Sequence, residues 1–354
     1  MMDLFTPLRL GALELRNRVV MAPMTRSRAG ADAVPTQVMA DYYGQRAGAG
    51  LIVSEGIAPS ADGLGYCRTP GLFNAAQVAG WRVVTDAVHE RGGLICAQLM
   101  HVGRIASALN KPAGSATVAP SAITARGEIY TDQQGMQPLD APRALDSDGI
   151  AAVVEDYRRA TENAFSAGFD AVELHCTSGY LPAQFLSTGS NRRNDAYGGS
   201  TARRLRFVLE VLAAMTSVRG SDRVGMRICP DNPFNDLHDD DPQDTFGSLL
   251  HEVQGMDLAY LHVIRFPAGR LDNIALAQPA FGDRLLANES YSLEEAQAAV
   301  AGGEVAAVSF GRPFIANPDL VQRWRNGLPL ADFDPSTLYT PGAAGYADYP
   351  PATS

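Results

Sequence analysis

The sequence predicts an α/β fold, a (β/α)8 barrel of the TIM type. Eight short apolar and β-branched runs recur along the chain, and each is followed by a stretch with helical periodicity. Because one barrel can accommodate a chain of this length, we expect a single domain over residues 1–354. The strands are predicted at Arg18–Ala22, Leu51–Ser54, Leu94–Leu99, Ala171–His175, Val224–Ile228, Ala259–Val263, Arg284–Ala287 and Val305–Phe310.

Local start signals support the helices between these strands. Ser292-Leu-Glu-Glu is a capping box, and Asn74 and Ser200 are good N-cap residues. Proline suits the first helical turn, so Pro35 is predicted to open the first helix and Asn317-Pro318 the last.

Three segments add to the barrel. Leu8–Leu15 alternates around Gly11, which predicts a β-hairpin that closes the bottom of the barrel. Residues 102–142, rich in Gly, Pro and Ser, are too long for a simple loop after strand three and are expected to cap the active site. Residues 335–354 form a C-terminal tail.

Composition argues against several classes of partner. The formal net charge is -10 and the 29 Lys and Arg are scattered, which disfavours nucleic acid and membrane surfaces. With no signal-like start and no apolar run of membrane-spanning length, the protein is predicted to be cytoplasmic. The four cysteines form no C-x-x-C pair, so no metal site is predicted.

The carboxyl ends of the strands carry the candidate functional groups. Thr25, Gln98, His175 and Arg227 follow or end four strands, and in a barrel they would ring one mouth. This set suits a flat heteroaromatic ligand such as an isoalloxazine. Gly311-Arg312 supplies a backbone donor and a cation where barrels commonly bind phosphate.

Several motifs resemble those of the Old Yellow Enzyme family. The run ELHCTSGYLPAQFLS at 173–187, continued by NRRNDAYGGS at 191–200, is similar to the family's most distinctive stretch. APMT at 22–25, AQLMHVGR at 97–104 and SFGRPFIANP at 309–318 extend the resemblance over nearly the whole chain.

The resemblance implies non-covalent FMN, reduced by NADH or NADPH, which then reduces an activated C=C bond of an enone, maleimide or nitro compound. His175 would hold the carbonyl oxygen, flavin N5 would deliver hydride, and Tyr180 would protonate the α carbon. The implied cofactor-binding residues are Pro23, Met24, Thr25, Gly56, Gln98, His175, Arg227, Asn288, Ser290, Gly311 and Arg312. Tyr66, Met100 and Tyr339 would line the substrate pocket of a monomer or homodimer.

Ser178 is the main departure from the family pattern, which usually has His or Asn there as a second donor to the carbonyl. Its short hydroxyl leaves three alternatives: a water-bridged enone site, a different activating group, or a substrate that brings its own polar group. The alternative function is an FMN-dependent isomerase or oxidase of a dedicated metabolite with weak enone activity. A flavin-free binding barrel is disfavoured by Thr25, Gln98 and Arg227.

Two further predictions concern structure. In Asn288-Glu289-Ser290, which replaces a family glycine pair, the Glu289 carboxylate is expected to point away from the phosphate. Strand alternation turns Cys176 towards the helix layer, and the loop at 191–200 is interpreted as a folding element.

Overall fold

A computed structural model describes residues 3–352 and contains a closed barrel of eight parallel strands. The predicted fold class is confirmed, and the predicted strand ends lie within two residues of the observed ones. In chain order the barrel strands are β1 (Val19–Met21), β2 (Leu51–Val53), β3 (Ile95–Leu99), β4 (Ala171–His175), β5 (Val224–Ile228), β6 (Tyr260–Ile264), β7 (Leu285–Asn288) and β8 (Ala307–Phe310).

Helices follow the strands and cover the outside of the barrel. In the described range they are α1 (Gln37–Gln45), α2 (Ala75–His89), α3 (Ser147–Ser166), α4 (Leu181–Leu186), α5 (Thr201–Arg219), α6 (Pro242–Gln254), α7 (Asn273–Phe281), α8 (Leu293–Ala301), α9 (Arg312–Ala316) and α10 (Leu320–Arg325). The Asn74 side chain caps α2, and the capping box at Ser292 is complete.

Two predicted helix starts were wrong. α1 begins at Gln37, because Thr36 takes the extended N-cap conformation and leaves Pro35 outside the helix. The last helix begins at Leu320 and not at Pro318, and the short helix α9 precedes it. Asn317 separates them: its amide donates to the Pro313 carbonyl at 2.8 Å and its Oδ1 accepts from the Ala331 N–H at 2.8 Å.

The predicted hairpin pairs Leu8–Leu10 with Leu13–Leu15 in antiparallel register. Its buried leucines join the strand side chains that fill the bottom of the barrel, including Leu51 and Leu286. The opposite end is covered by the insertion after β3, where Glu128–Thr131 pairs with Gly135–Pro138 in a second hairpin. The polar site is therefore confined to the carboxyl ends of the strands.

The main core lies between the strands and the helices. Cys176 is fully buried there, as its alternation predicts. The loop at 191–200 is held by its own side chains, since the Asn191 amide donates to the Phe185 and Tyr197 carbonyls at 2.7 and 2.8 Å. Within residues 3–352, no helix combines the length and apolarity needed to cross a membrane.

Candidate active site

A cavity of about 1200 Å³ opens at the carboxyl ends of the strands. It is larger than the roughly 300–1,000 Å³ of a typical small-molecule pocket, so its volume exceeds what one small ligand needs. Its walls include the predicted residues Pro23, Met24, Thr25, Gly56, Tyr66, Gln98, Met100, His175, Ser178, Tyr180, Arg227, Arg312 and Tyr339. The insertion and the C-terminal tail also line the cavity, through residues such as Tyr130 and Leu338.

Three predicted residues do not line the cavity. Asn288 is buried behind Arg227, and its Oδ1 accepts from Arg227 Nη2 at 2.6 Å. Gly311 packs against Met24, where a Cβ would lie 3.3 Å from the Met24 sulfur. Ser290 lies in the loop after β7, where its hydroxyl donates to the Glu289 carboxylate.

A buried polar network forms the floor of the cavity, and we call Gln98, Glu173, Arg227, His262 and Asn288 the floor. Gln98 Nε2 donates to Glu173 Oε1 at 2.7 Å, and Glu173 Oε2 lies 2.9 Å from His262 Nδ1. Arg227 Nη1 lies 2.7 Å from His262 Nε2. The floor therefore links β3, β4, β5, β6 and β7 across the barrel interior.

The register of the strands produces much of this network. Glu173 is the cross-strand neighbour of Gln98, and Arg227 is the neighbour of His262. The contact between Glu173 and His262 instead crosses the interior between strands that are not adjacent. Sequence reasoning missed His262, although a histidine inside the apolar strand Tyr260–Ile264 was an available signal.

Charge on the floor is balanced by one cation and one anion. Burial alone would raise the pKa of Glu173, but His262, Arg227 and Gln98 outweigh it, so the net shift of that pKa is downward. Burial and the charge of Arg227 lower the pKa of His262 to about 4. His262 is therefore neutral at pH 7 and bridges the Glu173 carboxylate and the Arg227 guanidinium.

His175 stands at the end of β4 above this floor. Burial and the nearby Arg227 lower its pKa to about 3, so the imidazole is neutral and carries one N–H. Its Nδ1 is buried without a hydrogen-bond partner in the described protein. A buried ring nitrogen of this kind is suited to a ligand atom inside the cavity.

Tyr180 lies beside His175, with the two ring centroids 5.1 Å apart. The Tyr180 hydroxyl is 3.1 Å from that of Tyr66, which packs edge-on against it. Burial raises the pKa of Tyr180 well above its usual value, and Tyr66 adds to the shift, whereas the Asn235 amide lowers it. Tyr180 thus keeps its proton at neutral pH and has two polar neighbours for its oxygen.

Ser178 lies in the tight turn that connects β4 to α4. Its φ is +57° and that of Gly179 is +78°, so two consecutive residues are left-handed. The Ser178 carbonyl accepts from Asn235 Nδ2 at 2.7 Å, and the side chain lines the cavity. Asn and His tolerate left-handed backbone better than most residues, so this backbone would accept the residues usual in the family.

The loop after β7 differs from expectation. Glu289 and Ser290 have φ values of +81° and +55°. The Glu289 carboxylate lies 3.7 Å from Nη1 of Arg312, because the opposite charges attract. It is thus directed towards the cation predicted to hold the phosphate, not away from it.

Two arginines that sequence reasoning missed anchor the C-terminal tail. Arg26 Nη2 donates to the Gly345 carbonyl at 2.8 Å, and Arg28 Nη2 donates to the Thr337 carbonyl at 2.7 Å. Both arginines are almost fully buried. The available signal was the Arg-Ser-Arg run that follows Thr25, in the loop after β1. Through them, the loop after β1 fixes the tail that carries Tyr339.

The arrangement fits FMN. The orphaned His175 nitrogen faces a cavity with room for a flavin, and Arg227 uses only part of its five N–H groups within the protein. Gly56 also allows a close approach, because a Cβ there would lie 2.5 Å from the sulfur of Met100. A neutral imidazole, a guanidinium and a glycine that allows close approach thus line one cavity.

Comparisons with known proteins find similar chains. A family model described as "NADH:flavin oxidoreductase / NADH oxidase family" matches residues 3–331. The chain is 42% identical to the "Probable flavin mononucleotide-dependent alkene reductase" of Leishmania infantum, over 97% of this chain and 96% of that protein. It is 38% identical to "12-oxophytodienoate reductase 7" of Oryza sativa subsp. japonica, over 98% and 94% of the two chains.

Solved structures are similar to this chain as well. Morphinone reductase superposes with a TM-score of 0.94 at 46% identity, over 99% of this chain and 96% of that one. The old yellow enzyme homologue from Zymomonas mobilis also gives a TM-score of 0.94, at 40% identity over 98% and 99% of the two chains. Morphinone reductase has also been solved in complex with tetrahydroNAD.

Proposed function

Because this chain belongs to the NADH:flavin oxidoreductase / NADH oxidase family, an FMN enzyme reduced by NADH or NADPH, we propose that it reduces activated C=C bonds. One observation carries the proposal. A neutral His175 and a protonated Tyr180 lie side by side above the charged floor of one cavity. The substrates would be α,β-unsaturated carbonyl compounds, maleimides or nitro compounds. The similarity to an alkene reductase and to 12-oxophytodienoate reductases supports this choice.

The floor would hold the flavin ring. Gln98 and Arg227 present amide and guanidinium groups to the cavity, and Glu173, His262 and Asn288 fix their positions. A guanidinium held this way favours negative charge on a neighbouring ligand without having to reorganise.

The remaining flavin contacts would come from the walls. Thr25, with Pro23 and Met24, would bind along β1, and Gly56 would lie against the ring. Arg312, with the backbone of Gly311 and Ser290, would bind the phosphate, and Asn288 would act through Arg227. Glu289 must then give up its contact with Arg312 in favour of the phosphate.

FMN, when bound, supplies the chemistry: it accepts a hydride from NADH or NADPH and passes one to the β carbon of the substrate. His175 donates an N–H to the carbonyl oxygen, which draws electron density from the double bond. Its low pKa keeps it a neutral donor throughout the physiological range. Tyr180 donates its proton to the α carbon.

Tyr66 and Asn235 would act on Tyr180. When Tyr180 loses its proton, the resulting oxygen anion is buried and needs donors. The Tyr66 hydroxyl at 3.1 Å and the Asn235 amide can both donate to it. Tyr66 and Met100 would also form the pocket wall, together with Tyr339.

Ser178 would bind the carbonyl oxygen through a water molecule. Its hydroxyl is shorter than an Asn amide, while its turn holds it at the cavity wall beside His175. A site that lost the second donor altogether would turn over simple enones roughly 10²- to 10³-fold more slowly than a site with both donors, and the water bridge recovers part of that loss.

Anaerobic stopped-flow absorbance tests the proposal. The flavin is reduced with NADH or NADPH and then mixed with 2-cyclohexenone, and the return of the oxidised band is followed. We expect saturable reoxidation with formation of cyclohexanone. A yellow protein that is reducible but is reoxidised by neither 2-cyclohexenone nor a maleimide would contradict it, and would favour an isomerase or oxidase of a dedicated metabolite.

A further inference from the structure

Large apolar side chains are exposed around the mouth of the active-site cavity. Within residues 3–352 seven large hydrophobic side chains are exposed, and four of these line this one cavity. They are Tyr130, Met136, Phe234 and Tyr339, with exposed fractions of 50, 54, 58 and 60%. Single exposed apolar residues are normal, but a group of them around a ligand cavity marks a binding surface. We call these four residues the apolar rim.

The hairpin of the insertion contributes two members of the rim. Tyr130 and Met136 are directly opposite each other across its two strands. Ile129 and Thr131 alternate with Tyr130 and are buried, so Tyr130 belongs to the outward face of the hairpin. A hairpin packed on one side normally carries polar residues on its outer face. Tyr130 and Met136 are instead large apolar side chains on this outer face, at the place where the hairpin lines the cavity.

One arginine fixes the hairpin and the tail relative to each other. Arg68 pairs with Asp132 in the hairpin turn, and its Nη2 donates to the Tyr339 carbonyl at 2.7 Å. The backbones that carry Tyr130 and Tyr339 are therefore joined through a single side chain.

The loop that carries Phe234 is held in a similar way. Arg126 Nε donates to the Asp236 carboxylate at 2.7 Å, and Arg104 Nη2 donates to the Asp236 carbonyl at 2.7 Å. Both arginines belong to the insertion, so the loop after β5 is tied to it. The rim is thus exposed but carried on positioned backbone, which lowers the entropic cost of binding.

We propose that the apolar rim binds an uncharged, apolar substituent of the substrate while the activated double bond lies deeper, beside His175 and Tyr180. This inference rests on the proposed function. It adds that the substrates are bulky compounds whose apolar part extends from the reacting group to the mouth. Rim and reacting groups line one continuous cavity, so a single molecule can contact both.

The charge at the mouth disfavours an anionic substituent. Glu128 lines the cavity, is exposed, and lies on the same face of the hairpin as Tyr130. Its carboxylate would repel an anionic chain at that position. Asp132 and Arg68 neutralise each other.

A series of N-substituted maleimides tests the proposal, because the reacting ring stays constant. The holoenzyme is reduced with dithionite and mixed with N-methyl-, N-benzyl- or N-hexylmaleimide or with 6-maleimidohexanoic acid. The half-saturating concentration for flavin reoxidation is then measured. We expect about 10-fold tighter binding of the benzyl and hexyl compounds than of the methyl compound, from the apolar area buried. The acid should lose most of the gain of the hexyl chain.

Rim variants locate the effect. Phe234→Ala and Met136→Ala should each lower the benzyl-to-methyl selectivity about 3- to 5-fold. Val83→Ala is the matched control, because Val83 is an exposed apolar residue of α2 that does not line the cavity. Its selectivity should equal that of the unmodified enzyme.

Three results would overturn the inference. The first two are equal binding of the methyl and benzyl compounds and tighter binding of the acid than of the hexyl compound. The third is that the rim variants weaken flavin reduction by NADH and leave benzyl selectivity intact. The last result would assign the rim to the nicotinamide coenzyme. Failure of N-methylmaleimide to reoxidise the flavin would count against the proposed function itself, so the two failures are distinguishable.

Discussion

The floor and the rim of the cavity are built on opposite principles. The floor consists of buried ionic and polar groups that are bonded to one another at 2.6 to 2.9 Å. The rim consists of apolar side chains that are at least half exposed and have no such partners. In the roles proposed above, the floor would bind the same cofactor in every turnover, whereas the rim would meet substrates from solvent.

The difference indicates where the protein can tolerate change. A buried charge that loses its partner is costly, so single substitutions in the floor should affect stability and cofactor binding together. Exposed rim residues contribute little to folding and should affect selectivity alone. The following predictions test this division, from the largest expected effect to the smallest.

Arg227→Met should break the floor. It leaves the Glu173 carboxylate buried without its cationic partner, so we expect a loss of about 3–5 kcal/mol in the free energy of unfolding, together with loss of bound FMN. Urea unfolding and the flavin-to-protein absorbance ratio measure both. The control is Arg203→Met on the exposed surface of α5, which should leave both quantities unchanged. An Arg227→Met protein that is stable and fully loaded with FMN would contradict the role of the floor.

Lowering the pH should destabilise the folded protein at pH values well above those at which carboxylates titrate. The pKa values of His101, His175 and His262 are lowered to about 3, 3 and 4, chiefly by burial. As the pH falls below 6.5, the unfolded chain binds these protons and the folded chain does not, so stability is lost. Glu55 acts in the opposite sense, because burial raises its pKa to about 7 and the folded chain binds its proton first.

The three histidine protons less the one of Glu55 leave a net difference of two protons. The free energy of unfolding should therefore fall by about 3 kcal/mol per pH unit between pH 6.5 and 5. Urea unfolding of the holoenzyme at several pH values measures the slope. A free energy that stays constant between pH 6.5 and 5 would show that these histidines are protonated in the folded protein.

Tyr180 belongs to neither the floor nor the rim, and Tyr180→Phe tests its role as the proton donor. Removal of a general acid should slow reoxidation of the flavin by 2-cyclohexenone by about 10²-fold or more. Flavin reduction by NADH requires no proton from Tyr180 and should change far less. Tyr66→Phe should have a smaller effect in the same direction, because the Asn235 amide still serves the Tyr180 oxygen. Equal slowing of both half-reactions by Tyr180→Phe would indicate a damaged pocket, not a lost proton donor.

Ser178→Asn tests the missing donor and has the smallest expected effect. The left-handed backbone at this position suits Asn, so the fold should be retained. We expect roughly 10-fold faster reoxidation by 2-cyclohexenone, since an amide can reach the carbonyl oxygen directly. Ser178→Ala is the matched control and should slow the wild-type rate only a few-fold. No gain with Asn would mean that the serine hydroxyl is already an adequate donor.

The sequence alone predicted the barrel, its eight strands and the ends at which functional groups gather. These features depend on short-range patterns: apolar runs, helix caps such as Ser292, and side chains that directly follow a strand. The resemblance of the segment at 173–200 then placed His175, Ser178 and Tyr180 in one cavity, where the structure finds them.

Only the tertiary structure decided how these residues are supported. Glu173 and His262 are 89 residues apart and meet because the barrel closes and both side chains point inward. Arg26 reaches the tail more than 300 residues away, and Arg227 draws Asn288 behind it and away from the cavity. A local pattern predicts the face of its own strand on which a side chain lies. Distances across the interior depend on the closure and register of the whole barrel, which no single segment encodes.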